Sequence, residues 1–199
     1  MDGPQIVIVD LGGQYTLLIA RAIRKLGVRP VILSPEKIDA FMQLQNKPKG
    51  IILSGGWSSV YHKDAPRISD AMLAAHTPVL GICLGMHWLA HTLGGTVESL
   101  SAQREYGIRQ FVRIVENDPL FRGIPEKSFV LESHGDSITR LPRGAHHTGM
   151  TQDCPISSFS IPKKKLFGIQ FHPECIETEY GSQILSNFIN IFGVEKDWD

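Results

Sequence analysis

The sequence predicts an α/β protein: a central, mostly parallel sheet with helices on both faces, plus a small antiparallel extension in the second half. Three observations lead there. Short, continuous apolar runs recur in the first half, at IVIV (6–9) and within RPVILSP (29–35), GIILSGG (50–56) and PVLGIC (78–83). Strands that are apolar on both faces belong inside a parallel sheet. Each run leads into a turn and then a stretch with helical periodicity, so strand alternates with helix. The second half changes to alternating strand patterns. With 199 residues and no repeat or linker, the chain is expected to form one domain over 1–199.

The first strand runs into Gly12 and Gly13. TLLIARAIRKLG then places Leu18, Ala22, Ile23 and Leu26 at helical spacing, with Gly27 as a stop. RPVILSP reads as a second strand and EKIDAFMQLQ as a short helix. GIILSGG is a buried strand ending in a glycine turn, and SDAMLAAHT is helical. PVLGIC is again a strand, and LGMHWLAHTLGG a helix closed by Gly94 and Gly95. GIRQFVRIVE and KSFVLESHGD alternate as strands. ISSFSIPKKKLFGIQFHPE reads as two strands joined by a basic turn, with Lys163, Lys164 and Lys165 at an exposed hairpin tip. These hairpins either extend the parallel sheet or form a small layer beside it. PRGAHHTGMTQD, with His146 and His147, reads as solvated loop, and SQILSNFINIFG as a closing amphipathic helix.

Composition narrows the function classes. Hydrophobic residues make up 42% and charged residues 20%, and the formal net charge is zero. That gives no generalised attraction to nucleic acid or to an acidic membrane surface, and neither is expected as a partner. No apolar run approaches the ~20 residues of a membrane span. MDGPQIVIVD lacks the basic start and long apolar stretch of a secretory signal, so the cytosol is the expected compartment. Cys83, Cys154 and Cys175 are odd in number, widely spaced and without CxxC, which argues against a disulfide framework or zinc ribbon.

Cys83 ends a strand and begins a helix, with Gly81 and Gly85 on either side, in G-I-C-L-G. A lone cysteine is often a small core hydrophobe. This one has the G-x-nucleophile-x-G form of a nucleophile elbow, whose tight turn requires neighbouring chain without Cβ atoms. A helix N-terminus favours thiolate over thiol. The N–H of Leu84 would point at a developing oxyanion, and Gly55 or Gly56 of S-G-G-W, closing another strand at the same edge, would supply a second donor. A cysteine nucleophile needs an oriented base. In F-H-P-E, His172 and Glu174 are two apart and would share one face of an extended segment.

LSGGWSSVY (53–61), GICLGMHWLA (81–90) and LFGIQFHPE (166–174) resemble the three signature blocks of the class I glutamine amidotransferases, the cysteine–histidine–glutamate type. They fall in the right order over essentially the whole chain. VDLGGQYTLLIARAIRKLGV (9–28), SVY (59–61), REYG (104–107) and SHGDSITRLP (133–142) are similar to the branch whose ammonia aminates xanthosine monophosphate to GMP. The resemblance implies a flavodoxin-like fold and the catalytic residues Cys83, His172 and Glu174. It also implies an oxyanion hole at Gly55 and Leu84, and substrate contacts at Gly56, Trp57, His87, Gly135 and Asp136. L-glutamine would be the substrate, and the glutaminase reaction would need no metal or cofactor. ATP and Mg would belong to an ATP-pyrophosphatase (synthetase) partner. The tail IFGVEKDWD resembles the handover to such a domain, of which these residues contain none.

The family elbow usually reads G-x-C-x-G-x-Q, and here His87 takes the place of the glutamine that helps hold substrate. Imidazole titrates near neutral pH, so the resemblance implies altered substrate affinity more than an altered covalent step. Trp57 replaces the usual proline and would stand at the pocket rim. His134, which follows a strand, is expected at the pocket and Cys175 in packing. His87 and His91 share a helical face but lack a third ligand or an HExxH pattern, so no metal site is expected there. DLGGQY lacks the GxGxxG order of a dinucleotide site. Two other readings fit the same residues: a glutamine-binding or regulatory module without turnover, and a related cysteine hydrolase such as a γ-glutamyl hydrolase.

Overall fold

Four apolar tetrapeptides build the centre of the molecule. In a computed structural model describing residues 5–43, 47–63, 65–66, 68–69, 71–74, 76–99 and 104–193, they form β1 (Ile6–Val9), β2 (Pro30–Leu33), β3 (Gly50–Leu53) and β4 (Val79–Ile82). β1, β3 and β4 are buried along their whole length. Their side chains alternate between two cores. Ile6, Ile8, Ile52, Leu80 and Ile82 pack on one face with Ile19, Ile23, Ile184 and Phe188. Val7, Val9, Ile51, Leu53 and Val79 pack on the other with Ile38, Met72, Met86 and Leu89. Helices therefore cover both faces: α1 (Thr16–Lys25) and α5 (Gly181–Asn190) on the first, and α2 (Ile38–Met42), α3 (Ala71–Ala74) and α4 (Leu84–Thr92) on the second.

Each first-half strand and helix expected from the sequence has a counterpart. Leu44 and Gln45 of the second predicted helix, and the tail from residue 194, lie outside the described residues. One helix face is rotated from the expected one. α1 buries Thr16, Ile19, Ala20 and Ile23, while Leu18, Ala22 and Leu26 are only half-buried. The contact line thus runs beside the predicted apolar stripe, and Ile23 is common to both.

The second half joins the sheet instead of standing apart. The strand order is β2-β1-β3-β4-β11-β10-β9-β6-β7. β11 (Leu166–Ile169) lies parallel to β4, with Ile169 opposite Ile82. β10 (Ser158–Ile161), β9 (His146–Met150), β6 (Glu105–Arg113) and β7 (Lys127–His134) then follow antiparallel. A separate ribbon pairs β5 (Thr96–Glu98) with β8 (Ser137–Arg140). The antiparallel part is thus larger than the small extension expected.

The stretch expected as loop around His146 and His147 is β9, a correction with a clear cause. Its polarity is met inside the sheet: Thr148 Oγ1 and Ser158 Oγ share a buried hydrogen bond of 2.8 Å across β9 and β10. A strand satisfied by hydroxyl pairs has no apolar alternation to betray it. Lys163, Lys164 and Lys165 form the exposed hairpin tip, with Lys165 left-handed at φ 54°. No described helix is long and apolar enough to cross a membrane.

α5 is tied to the opposite end of the sheet by a single polar side chain. Buried Asn187 donates from Nδ2 to the carbonyls of Leu120 and Arg122, both at 2.9 Å. Asn187→Ala leaves both carbonyls without this donor and should cost about 1–3 kcal/mol. For a chain of this size that lowers the thermal midpoint by roughly 2–4 °C per kcal/mol. An unchanged midpoint in thermal denaturation would show that α5 docks by its apolar face alone.

Candidate active site

β4 ends at Ile82, and the chain turns at Cys83 before entering α4. The turn is strained: Cys83 has φ 51° and ψ −108°, a backbone conformation that L-residues avoid and that costs about 1–3 kcal/mol. Backbone bonds hold it there. Cys83 N donates to Ile169 O at 2.9 Å, and His87 N donates to Cys83 O at 3.1 Å. Gly81 is required because a Cβ at that position would lie 2.5 Å from the carbonyl carbon of Gly85. Cys83 itself is only 6% exposed. Its Sγ lies 3.8 Å from Ser133 O, at the end of β7.

His172 arrives from β11, the strand next to β4. Its backbone N–H donates to Leu131 O at 3.0 Å, and its carbonyl accepts from Thr178 Oγ1 at 2.7 Å. Nδ1 is 2.8 Å from Glu174 Oε1, a carboxylate with no solvent exposure. Nδ1 therefore carries hydrogen, and the other face of the ring serves the Cys83 thiol, with which His172 is hydrogen-bonded. Tyr15 packs edge-on against the imidazole, with centroids 5.0 Å apart. Burial by itself lowers the basicity of His172. Hydrogen bonds to Cys83 and Glu174 and their charges outweigh it and carry the pKa from 6.5 up to about 10. The arrangement favours an imidazolium at His172, placed to hand a proton to a group bound beside Cys83.

These groups open into a cleft of about 670 Å³ at the carboxyl edge of the parallel strands. Gly55, Gly56, Trp57, Leu84, His87, Gly135 and Asp136, all picked out from the sequence, line it with Cys83 and His172. Glu174 stands behind His172. Gly55 fits tightly: a Cβ there would sit 3.1 Å from His172 Cε1 and 3.6 Å from Cys83 Cβ. Ser54 Oγ accepts from Leu11 N and donates to Gly55 O, each at 2.9 Å, and so fixes that peptide. Trp57 is 82% exposed at the rim, above Gly12. Asp136 Oδ1 accepts from Tyr61 OH at 3.1 Å.

His87 corrects the expectation of an imidazole titrating near neutral pH. It is buried, and its Nε2 pairs with Gln170 Oε1 at 2.6 Å. Burial drives its pKa down to about 4, against the opposing effect of the hydrogen bond to Gln170, so the ring is neutral. Cys175 is buried, and burial pushes its thiol up to about 12, in keeping with packing. His134 is at the cleft as expected.

Several cleft residues lay outside the sequence argument. Tyr15 and Tyr61 fall within VDLGGQYTLLIARAIRKLGV and LSGGWSSVY but show no spacing that marks them. Ser133 approaches Cys83 through its backbone carbonyl, which no residue identity reveals. Behind His134 lies a buried group comprising Glu105, Glu132 and Cys154. Among the described residues, Glu105, His134 and Cys154 bring their ligand-type atoms within 4.8 Å of one another.

A thiol on a strained strand–helix turn, beside an imidazole backed by a carboxylate at a parallel-sheet edge, is an arrangement suited to the cysteine-dependent hydrolases and amidotransferases. Residues 7–191 match the family model described as glutamine amidotransferase class-I, and this chain belongs to that family. It is 41% identical over 198 residues to a glutamine-hydrolysing GMP synthase of Caldicellulosiruptor saccharolyticus, covering 97% of this chain and 37% of that one. It is 44% identical over 200 residues to the GMP synthase of Streptococcus equi subsp. zooepidemicus, covering 99% and 38%. The chain thus spans less than two-fifths of the length of these curated relatives. A crystal structure from Thermoplasma acidophilum, of a protein proposed to be one subunit of GMP synthase, superposes with a TM-score of 0.81 at 28% identity, covering 96% of this chain and 95% of that one.

The raised pKa of His172 carries a stability consequence with a definite sign. A group whose folded pKa lies above its unfolded value stabilises the fold fully below about pH 6.5, and that contribution is lost as pH climbs towards 10. Ring-nitrogen NMR should find His172 doubly protonated through neutral pH. Cys83→Ala should move its titration down by about one pH unit or more, since that is the scale of one charge-assisted hydrogen bond. A titration point unmoved by the substitution would show that sulfur does not support the imidazolium.

Proposed function

We propose that this chain hydrolyses L-glutamine through a cysteine thioester and passes the ammonia to an ATP-pyrophosphatase partner, for the amination of xanthosine monophosphate to GMP. The observation that carries the reading is the contact series Cys83–His172–Glu174 at the cleft. The Cys83 thiolate attacks the side-chain carbonyl carbon of glutamine, and the carbonyl oxygen becomes an oxyanion facing the N–H groups of Gly55 and Leu84. His172 gives its proton to the departing nitrogen, which leaves as ammonia. The γ-glutamyl thioester is then attacked by water. His172 takes a proton from the water, the carbon–sulfur bond breaks, and glutamate is released with Cys83 restored. Glu174 holds the imidazole in one orientation throughout. Gly135 and Asp136 bind the amino-acid end of the substrate, while Gly56, Trp57 and His87 line the approach.

The partner and the acceptor rest on the relatives, whose remaining length this chain does not contain. ATP and Mg belong to that partner. The cytosol is the compartment we assign, in keeping with three free thiols.

The deciding measurement is glutamate release from glutamine by the chain with and without an ATP-pyrophosphatase partner. Cys83→Ala should lower kcat by at least about 10⁴-fold, and a glutamine-analogue electrophile should add one equivalent of mass at Cys83. Glutamine binding without turnover under both conditions would instead favour a regulatory module. His87→Gln should lower KM about 5-fold, the worth of one hydrogen bond, while kcat stays within about 3-fold. An unchanged KM would remove His87 from substrate binding.

A further inference from the structure

The cleft wall around Gly135 and Asp136 is backed by charged groups that the reaction does not touch. On β7, Glu132 and His134 are two apart and both point inward, away from exposed Ser133. Glu105 of β6 lies directly opposite His134, and Gly107 opposite Glu132. His134 Nδ1 is 2.8 Å from Asp136 O, and a carbonyl only accepts, so Nδ1 carries hydrogen. Its Nε2 lies 3.4 Å from Glu105 Oε2 and 3.7 Å from Glu132 Oε2. All three side chains are almost wholly buried.

With Nδ1 committed to Asp136, a bare Nε2 would point its lone pair at two carboxylates. One proton must lie among these three groups. Glu105 Oε2 already accepts from Thr151 Oγ1 at 2.7 Å, and Arg109 Nε stands 3.5 Å from its other oxygen. Glu132 receives only Ser157 Oγ at 2.9 Å on Oε1, and among the described residues its Oε2 has no hydrogen-bond partner. The remaining neighbours are Cys154, whose thiol is pushed far up by burial and by both carboxylates, the more distant charge of His172, and His87, which burial keeps neutral.

We propose that Glu132 and Glu105 are positioning residues: they hold one proton with His134, and through the Nδ1–H bond to Asp136 that proton sets the cleft wall for glutamine. This rests on the glutaminase reading given above. Burial raises the Glu132 pKa to about 7, against the lowering influence of His134, so the proton is lost across the neutral range. Without it, His134 relieves the repulsion by moving its hydrogen to Nε2, which gives up the bond to Asp136. The wall then loosens, and glutamine affinity falls as pH rises.

The test uses the Cys83→Ala chain, which binds without turnover. Calorimetry with L-glutamine from pH 6 to 8.5 should show Kd rising about 3- to 10-fold, a range equivalent to loss of one ordinary hydrogen bond. Glu132→Gln, whose amide donates permanently, should keep the low-pH affinity and abolish the slope. Glu132→Ala should bind weakly throughout, with its thermal midpoint recorded to confirm folding. In the unsubstituted chain the same effect should appear in KM and leave kcat nearly level. His134 ring-nitrogen shifts should change tautomer near pH 7 while Glu132 is present, and should not do so in Glu132→Gln.

A flat Kd with Glu132 present, or an unaltered slope in Glu132→Gln, overturns the proposal. So does stoichiometric zinc in the purified protein, since a metal held by Glu105, His134 and Cys154 would replace the proton. Absence of glutamine binding at every pH would remove the glutaminase reading and the affinity effect together, while the ring-nitrogen shifts would still report whether the proton is shared.

Discussion

The parallel pairing of β4 with β11 is the constraint on which the site depends. Ile82 stands opposite Ile169, so the residues that follow leave the sheet at the same edge. Cys83 N closes onto Ile169 O, and two residues beyond Gln170 the chain presents His172. A slip of one residue would turn every side chain of β11 to the other face. Both strands are buried throughout, so the register is held by the two cores as much as by backbone bonds. Candidate site residues from opposite halves of the chain are thereby brought together at the end of two fully buried strands.

On that frame the molecule maintains a local strain. The positive φ of Cys83 is tolerated because the surroundings over-determine it: glycines where chain crosses chain, a helix beginning at once, and hydrogen bonds on both sides. The turn brings Cys83 to the cleft, although it is only 6% exposed and packs with the first core. Gly55, whose carbonyl accepts from Ser54, closes the opposite side at a distance that would be tight for a Cβ.

Burial surrounds each histidine in this region with different partners. His172 gains basicity from sulfur and Glu174 despite its burial, whereas His87, with only the amide of Gln170, is kept neutral. His134 is enclosed by carboxylates on neighbouring strands. Identical side chains within one cleft thus have distinct surroundings, set by partners drawn from other elements. The antiparallel strands β6 and β7 contribute here by bringing Ser133, His134 and Asp136 to the wall opposite the elbow.

Much of this was legible in the residues themselves. Continuous apolar tetrapeptides specify buried strands, and G-I-C-L-G and H-P-E bear local patterns that chemistry requires, because turns and i,i+2 pairs are short-range geometry. Strand β9 was not legible, because its polarity is met by Thr148 and Ser158 across the sheet. The buried face of α1 was displaced from its apolar stripe by what packs against it. Nor could the residues announce that Gln170 pairs with a neutral His87, or that Glu105 and Glu132 close on His134, since each contact spans distant positions. The sequence by itself determined most of the elements and the candidate site residues. Only the tertiary structure decided their ionisation and mutual distance, because both depend on groups that meet through strand order and burial.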